Sequence, residues 1–274
     1  MKPIFFILKF YITVGFGQQY DGVFIENRRV DKNNTIYTLG KEFVYTFTIS
    51  DNKTPLYIQK DNITGFKLTP IKDSLTISSI HATVIKPRMF QRTNIKQTEV
   101  YYSYEPNPTF TSSTGIVENS KNVWLHPPRD MFFKALQTCP FPYIQLDKPL
   151  GHQWQDSMSI GAYWSDTLWG EWEERLLLQY DYTLSGKEMV QTAMGAIECM
   201  VVEAIATSAI GRSKLKGYFS KEHGFIQLNY TLVTGMEVEL MLTEIKEGPI
   251  LRDGKDFFKI NFNKKKNQTR YFYT

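Results

Sequence analysis

Cysteine is scarce in this chain, because its 274 residues contain only two. Long apolar runs are missing as well, since beyond residue 17 no uncharged stretch reaches the roughly 18 residues that a membrane-spanning helix needs. With 42% hydrophobic and 22% charged residues, the composition is that of an ordinary globular protein and excludes disorder, collagen and coiled coils. We therefore expect one large domain or two smaller ones, and no integral membrane protein.

Motifs of several enzyme classes are also missing. The chain has no Gly-x-Ser-x-Gly elbow, no phosphate-binding loop and no dinucleotide fingerprint. Its four histidines, at positions 81, 126, 152 and 223, lack the spacing of a zinc site, and no cysteine pair completes one. The sequence therefore predicts no metal, no cofactor and no enzymatic activity.

The formal net charge of +4 is unevenly distributed along the chain. Residues 1–17 hold two lysines and no acid (+2), residues 18–251 hold 23 bases and 26 acids (−3), and residues 252–274 hold seven bases and two acids (+5). The basic tail combines a lysine triplet at 264–266 with aromatic residues at 271–273, which is a weak nucleic-acid signal. A solvated basic terminus is the simpler interpretation, and we predict no nucleic-acid partner.

Residues 1–17 have the pattern of a secretory signal peptide. Lys2 precedes a short apolar stretch, and Gly15 and Gly17 place small residues before a cut after position 17. Lys9 interrupts the apolar stretch, so a mature N-terminal strand is the alternative. The pattern predicts export, and hence a periplasmic or secreted protein.

Cys139 and Cys199 could form one disulfide in an exported chain. The bond would close a loop of 61 residues (199 − 139 + 1) and contribute about 4 kcal/mol on the loop-entropy estimate. The alternative is a pair of buried free thiols that pack as small apolar residues. The spacing alone leaves both open.

Apolar and polar residues alternate over much of the chain, as in residues 43–49, 178–185 and 236–243. Such alternation predicts strands with one buried and one solvated face. Between residues 174 and 245 short turns separate about five strands, which predicts an antiparallel meander. A mainly β fold follows, with one short helix predicted over residues 128–138.

All five tryptophans lie after residue 120, between positions 124 and 172. This shift in composition predicts a boundary near residue 120 between an N-terminal β-rich region (18–120) and a second β region (121–250), followed by the basic tail (251–274). Two lobes, or one elongated β structure with an N-terminal extension, both fit.

Residues 123–129, 186–188, 195–199 and 218–225 carry a resemblance to a known group of proteins. Over roughly residues 121–246 the chain resembles uncharacterised exported β-rich proteins of Gram-negative envelopes, which are distantly similar to lipoprotein-carrier half-barrels. The resemblance implies a curved antiparallel sheet, or half-barrel, around a hydrophobic cavity. It implies no catalytic residues, and residues 18–120 lie outside it.

Four tryptophans, Trp154, Trp164, Trp169 and Trp172, form the most unusual local feature. Indole rings in a groove can stack on sugars or line a cavity for acyl chains, with the N–H left for a polar partner. We predict these four residues as ligand contacts. The alternative is that they fill the concave side of a curved sheet.

Three hypotheses about function follow. The preferred one is an exported, non-enzymatic envelope protein that binds a hydrophobic or glycan-containing ligand through its tryptophans, with lipid, glycan or an envelope protein as partner. The second is a structural or assembly module of the envelope or of a secretion apparatus. The third is a carbohydrate-active enzyme that uses Glu171 or Glu173, because a glycosidase needs two carboxylates about 5–9.5 Å apart. A solvated acidic turn also explains these two residues.

Overall fold

The computed structural model describes residues 30–61, 65–88, 92, 96–106, 111–256 and 259. The predicted signal peptide and most of the basic tail lie outside these residues. The described residues form β1 (Lys41–Asp51), β2 (Thr54–Asp61), β3 (Gly65–Thr69), β4 (Ser79–Ile85), β5 (Thr98–Glu105), β6 (Thr111–Glu118), β7 (Asn122–Leu125), β8 (Tyr143–Gln145), β9 (Gln153–Gly161), β10 (Arg175–Thr192), β11 (Gly195–Ser208), β12 (Gly211–Ser220), β13 (Gly224–Thr231) and β14 (Glu237–Glu247).

These strands form one curled antiparallel sheet. Its strand order is β8-β7-β6-β5-β4-β1-β14-β13-β12-β11-β10-β9, and the hairpin β2–β3 pairs with the end of β1. The two ends of this order, β8 and β9, follow each other in the chain and lie close together, since the ring centroids of Tyr143 and Trp154 are 5.5 Å apart. The sheet is a half-barrel, which confirms the predicted mainly β fold.

The predicted meander corresponds to the five hairpin-connected strands β10–β14. The first part of β10 buries every second side chain, namely Leu176, Leu178, Tyr180, Tyr182 and Leu184, and Val190 is buried further along the strand. The tight connections need glycine at particular points. Gly224 has a φ of +81°, and a Cβ atom there would lie 2.4 Å from the hydroxyl oxygen of Tyr37. The alternation of buried and exposed residues with a period of two therefore predicts that these segments are strands. It also predicts which of their side chains face the concave side.

The predicted helix is present as a 3-10 helix, η1 (Met131–Thr138). It begins three residues later than predicted, because the two prolines at 127 and 128 favour extended backbone before them and Met131 adopts a φ of +52°. Among the described residues η1 is the only helix of at least seven residues. A second 3-10 turn, η2 (Ala162–Trp164), follows β9.

The predicted boundary near residue 120 lies in the turn between β6 and β7. These two strands pair with each other, with Ile116 opposite Leu125, and β1 pairs with both β4 and β14. One hydrogen-bonded sheet thus contains strands from both predicted regions.

The chain that precedes β1 is tied to the sheet by the carboxylate of Glu118. Its Oε1 accepts the backbone N–H groups of Thr35 and Ile36 at 2.6 and 2.9 Å, and its Oε2 accepts the N–H of Tyr37 at 2.9 Å. Several N–H donors on one carboxylate make a strong, charge-assisted contact. Glu118 therefore fixes residues 35–37 across one end of the half-barrel.

Candidate functional site

The concave side of the half-barrel is the expected ligand site, and helix η1 occupies it. The helix buries almost its whole surface, with Phe132, Phe133, Ala135 and Leu136 completely inaccessible to solvent. A 3-10 helix of eight residues has no fully solvated face here, because the sheet surrounds it. The chain itself thus fills the space that a hydrophobic ligand would take.

The two phenylalanines of η1 contact rings from several strands. Phe133 packs edge-on against Phe47 of β1, with centroids 5.0 Å apart, and stacks on Tyr104 of β5 at 5.7 Å. Phe132 contacts Phe66 of β3 and Trp169, at 6.5 and 6.2 Å. Ring pairs at these distances stabilise a core beyond the area that they bury.

Two of the four predicted ligand contacts are core residues. Trp169 is 1% exposed, and its indole N–H donates to the carbonyl oxygen of Trp164 at 2.8 Å. Trp164 is 9% exposed. The loop that carries them is closed by hydrogen bonds, including one from the N–H of Trp172 to the hydroxyl of Ser165 at 3.0 Å. The ring of Trp169 lies 6.2 Å from that of Phe132 in η1.

The other two, Trp154 and Trp172, are half-buried. Trp154 lies parallel to Tyr182, with an interplanar angle of 3° and centroids 5.1 Å apart, and His152 is parallel to it at 5.8 Å. The indole N–H groups of both tryptophans are inaccessible to solvent and have no hydrogen-bond partner among the described residues. Trp154 and Trp172 therefore each have an N–H donor without an acceptor among the described residues.

The carboxylates of the third hypothesis do not enter the interior. Glu171 and Glu173 are both exposed, on the segment that leads into β10. Glu174, also exposed, has a φ of +53°, which places this segment in a turn.

Tyrosine hydroxyls join the layers of the interior. Tyr45, Tyr102 and Tyr182 donate to the carbonyl oxygens of Phe225, His126 and Phe141, respectively, at 2.9 to 3.0 Å. Burial raises the pKa of all three hydroxyls, because the phenolate would lose its hydration. These three tyrosines were not predicted as site residues from the sequence. The spacing of two residues between Tyr180 and Tyr182 does identify that pair as neighbours on one face of the strand.

His126 is the buried histidine of this core. It is 3% exposed, its Nδ1 lies 3.1 Å from the carbonyl oxygen of Pro127, and its ring is 4.6 Å from that of Phe141. Burial and, to a smaller extent, the nearby charge of Arg129 lower the pKa of His126 to about 3. The imidazole is therefore neutral at pH 7.

Both cysteines are buried free thiols. The structure has no disulfide between Cys139 and Cys199, so of the two alternatives it contains the unbonded pair. Burial raises the pKa of Cys139 to about 12 and that of Cys199 to about 11, because each thiolate would be poorly solvated. Both shifts lower the fraction of thiolate, the nucleophilic form, at neutral pH.

A pocket of about 530 Å³ lies at the end of the half-barrel where Glu118 holds the N-terminal segment. Its volume is within the range of small-molecule sites. Ile36, Val123, Leu146 and Phe219 supply its apolar lining, and Glu118, Asp147 and Lys221 supply two acidic groups and one basic group. None of the predicted tryptophans lines it.

Within the part of the chain that the structure describes, no three His, Cys, Asp or Glu side chains are grouped so that they could hold a metal ion. None of the helices in the described ranges is both long enough and apolar enough to cross a membrane.

The fold and the site define an antiparallel half-barrel whose concave side is filled by its own helix. No family model and no curated protein matches the chain. Among solved structures, it is similar to a Bacteroides fragilis protein described as exported and as having a YmcC-like fold, with 11% identity, a TM-score of 0.44, and coverage of 77% of this chain and 97% of that one.

Two further solved structures are similar at comparable levels. One is described as a lipoprotein from Parabacteroides distasonis, with 13% identity, a TM-score of 0.41, and coverage of 77% of this chain and 97% of that one. The other is the hypothetical lipoprotein YmcC from Escherichia coli, with 13% identity, a TM-score of 0.34, and coverage of 74% of this chain and 84% of that one.

Proposed function

We propose that the chain is an exported envelope protein, periplasmic or secreted, whose half-barrel acts as a structural or assembly module rather than as a ligand carrier. The observation that carries this proposal is the position of η1. Phe132 and Phe133 occupy the concave side, and Trp164 and Trp169 pack there as core residues. The signal-peptide pattern of residues 1–17 supports export.

A lipid-binding measurement tests the filled interior. The purified chain is extracted and analysed by mass spectrometry for bound lipid, and its tryptophan fluorescence is followed as acyl chains or soluble glycans are added. We expect no stoichiometric lipid and an unchanged emission maximum, because the side chains of η1 occupy the concave side. One bound acyl lipid per chain would contradict the proposal.

Site-specific photo-crosslinking in the native envelope tests the assembly role. Met189 and Tyr163 are 60% and 76% exposed, and each can be replaced by a photoreactive residue without disturbing the core. We expect at least one of these positions to give a crosslinked band of defined mass. The buried position Phe133 serves as the matched control, since a crosslinker there should react only within the chain. Monomer alone at all exposed positions would contradict an assembly role.

One observation supports ligand binding as a second candidate function. The solvent-inaccessible N–H groups of Trp154 and Trp172 have no partner among the described residues, and a buried donor without an acceptor costs about 1–3 kcal/mol. A glycan or lipid headgroup oxygen would satisfy them. In this case Trp154→Phe or Trp172→Phe should abolish a fluorescence response to the ligand, whereas Trp169→Phe, whose N–H already has a partner, should not.

A further inference from the structure

The outer face of the sheet carries three hydrogen-bonded side chains that the interior does not use. The Oγ of Ser79 lies 3.1 Å from Nε2 of His81, and Nδ1 of the same ring lies 2.9 Å from Oε1 of Glu42. Ser79 and His81 are two residues apart on β4, so they share a face. Glu42 is on the neighbouring strand β1, where it pairs with Thr83, two residues beyond His81.

Both ring contacts fit one tautomer of His81. A carboxylate only accepts hydrogen bonds, so Nδ1 carries the hydrogen and donates to Glu42. Nε2 then has a lone pair, which accepts the hydroxyl hydrogen of Ser79. The order serine, imidazole, carboxylate is the arrangement by which proteins activate a serine hydroxyl as a nucleophile.

The group is ordered but accessible. The side chains of His81 and Glu42 are 16% and 25% exposed, and Ser79 is half-buried. Lys246 of β14 lies 3.8 Å from the same oxygen of Glu42 and adds a positive charge beside this carboxylate. Ser79 is the first residue of β4, and part of its surface is open to solvent.

The nearest residue to Ser79 on β1 also has a hydroxyl. Thr46 lies directly opposite Ser79 in the antiparallel register and is exposed. Side chains at opposite positions have Cβ atoms about 4.5–5.5 Å apart. The Thr46 hydroxyl is therefore in reach of a carbonyl oxygen held at Ser79.

We propose that Ser79 is a nucleophilic serine that accepts the acyl group of a small carboxylic ester, with His81 as its general base, Glu42 as a positioning residue and Thr46 as a donor to the carbonyl oxygen. Ser79 Oγ bonds to the carbonyl carbon while His81 Nε2 takes the hydroxyl proton. The bond from that carbon to the alcohol oxygen then breaks, and the alcohol leaves with the proton. A serine ester and a free alcohol result, and water hydrolyses the ester by the same steps. This reaction goes beyond the scaffold function and uses none of the interior residues.

A fluorophosphonate probe and p-nitrophenyl acetate test the proposal on the purified full-length chain. We expect one phosphonyl group per chain, mapped to Ser79 by peptide mass spectrometry, with fluoride as the leaving group. The acetate ester should give a burst of about one p-nitrophenolate per chain. Absence of labelling in the native chain, or labelling only at other residues, would overturn the proposal.

Variants assign the roles. Ser79→Ala should abolish labelling. Ser78→Ala should keep it, because the Ser78 hydroxyl donates to the carbonyl oxygen of Glu105, at 3.3 Å. Each variant removes one hydroxyl oxygen, and the two positions are adjacent. If both variants unfold at similar temperatures, a difference between them in labelling does not come from loss of the fold. His81→Gln should slow labelling about 100-fold or more.

Glu42 needs a measurement that a purely structural role would not affect. Glu42→Gln keeps the size of the side chain but removes the charge, and we expect labelling to slow about tenfold or more, because the imidazolium loses its anionic partner. Glu42→Asp keeps the charge and should restore part of the rate. Equal rates in wild type and Glu42→Gln would overturn the role of Glu42.

Discussion

Acidification should destabilise the fold through His126. In the folded chain this imidazole is neutral because burial lowers its pKa from the ordinary 6.5 to about 3. In the unfolded chain it takes up a proton as the pH falls below about 6.5. A group with a lowered pKa in the fold contributes stability above its unfolded pKa and loses it as the pH falls, so the loss begins near pH 6.5 and continues towards pH 3.

The magnitude follows from the distance between pH 5 and the unfolded pKa. These two values differ by about 1.5 units, and each unit corresponds to about 1.4 kcal/mol. Because the folded state takes up almost no proton at pH 5, the free energy of unfolding falls by about 2 kcal/mol. For a chain of this size that corresponds to a fall in Tm of about 4 °C. Urea unfolding at pH 7 and pH 5 measures it.

A pair of variants isolates the contribution of His126. His126→Gln has no titrating ring, so it should be less stable than wild type at pH 7 but should lose about 2 kcal/mol less on going to pH 5. His152→Gln replaces a half-buried histidine near Trp154 and serves as the control for loss of a histidine outside the buried core. Equal losses in wild type and His126→Gln would refute the reasoning.

Three further predictions concern the core and the thiols. Phe133→Ala should lower the free energy of unfolding by about 3–5 kcal/mol, since it empties a fully buried site. Leu177→Ala, at an exposed site of β10, should change the free energy of unfolding by less than about 0.5 kcal/mol. A similar effect of both substitutions would contradict the filled interior. A thiol reagent at pH 8 should count no reactive thiol in the native chain and two in denaturant, from Cys139 and Cys199; none in denaturant would indicate a disulfide. Glu118→Gln should cost about 2 kcal/mol, because three backbone N–H donors lose a charged acceptor, and an unchanged urea midpoint would contradict that role.

The meander could be predicted from sequence because much of β10, β11 and β14 has one solvated face. There the alternation of Leu176 and Leu178 with exposed residues is visible without a structure. Strands β4 and β5 are buried on both faces over part of their length, since Leu251 packs on Ile85 and the partly buried Tyr101 on the outer side. Val100, Tyr102 and Tyr104 of β5 still alternate with more polar residues, but this pattern does not specify that β5 pairs with β4 and β6.

The candidate sites depend on contacts between distant parts of the chain. The tryptophans could be identified from the sequence, but the position of η1 on the concave side could not, because it depends on how the helix packs against β1, β3 and β5. The same holds for the outer face. Ser79 and His81 have a readable spacing, but Glu42 is 39 residues before His81 and joins them only through the register of β1 and β4.

The pairing of β1 with β14 joins the beginning and the end of the described sheet at its centre. Val44 lies opposite Glu244, so the central pair spans 200 residues (244 − 44) and gives the fold a high contact order, which slows folding. A chain emerging from an export channel cannot close its sheet until its last strand has crossed. Before that, β1 and β13 each have one edge without a partner strand, and these edges are open to association with other chains. Truncation before residue 237 would therefore divide the sheet through its middle instead of trimming its margin.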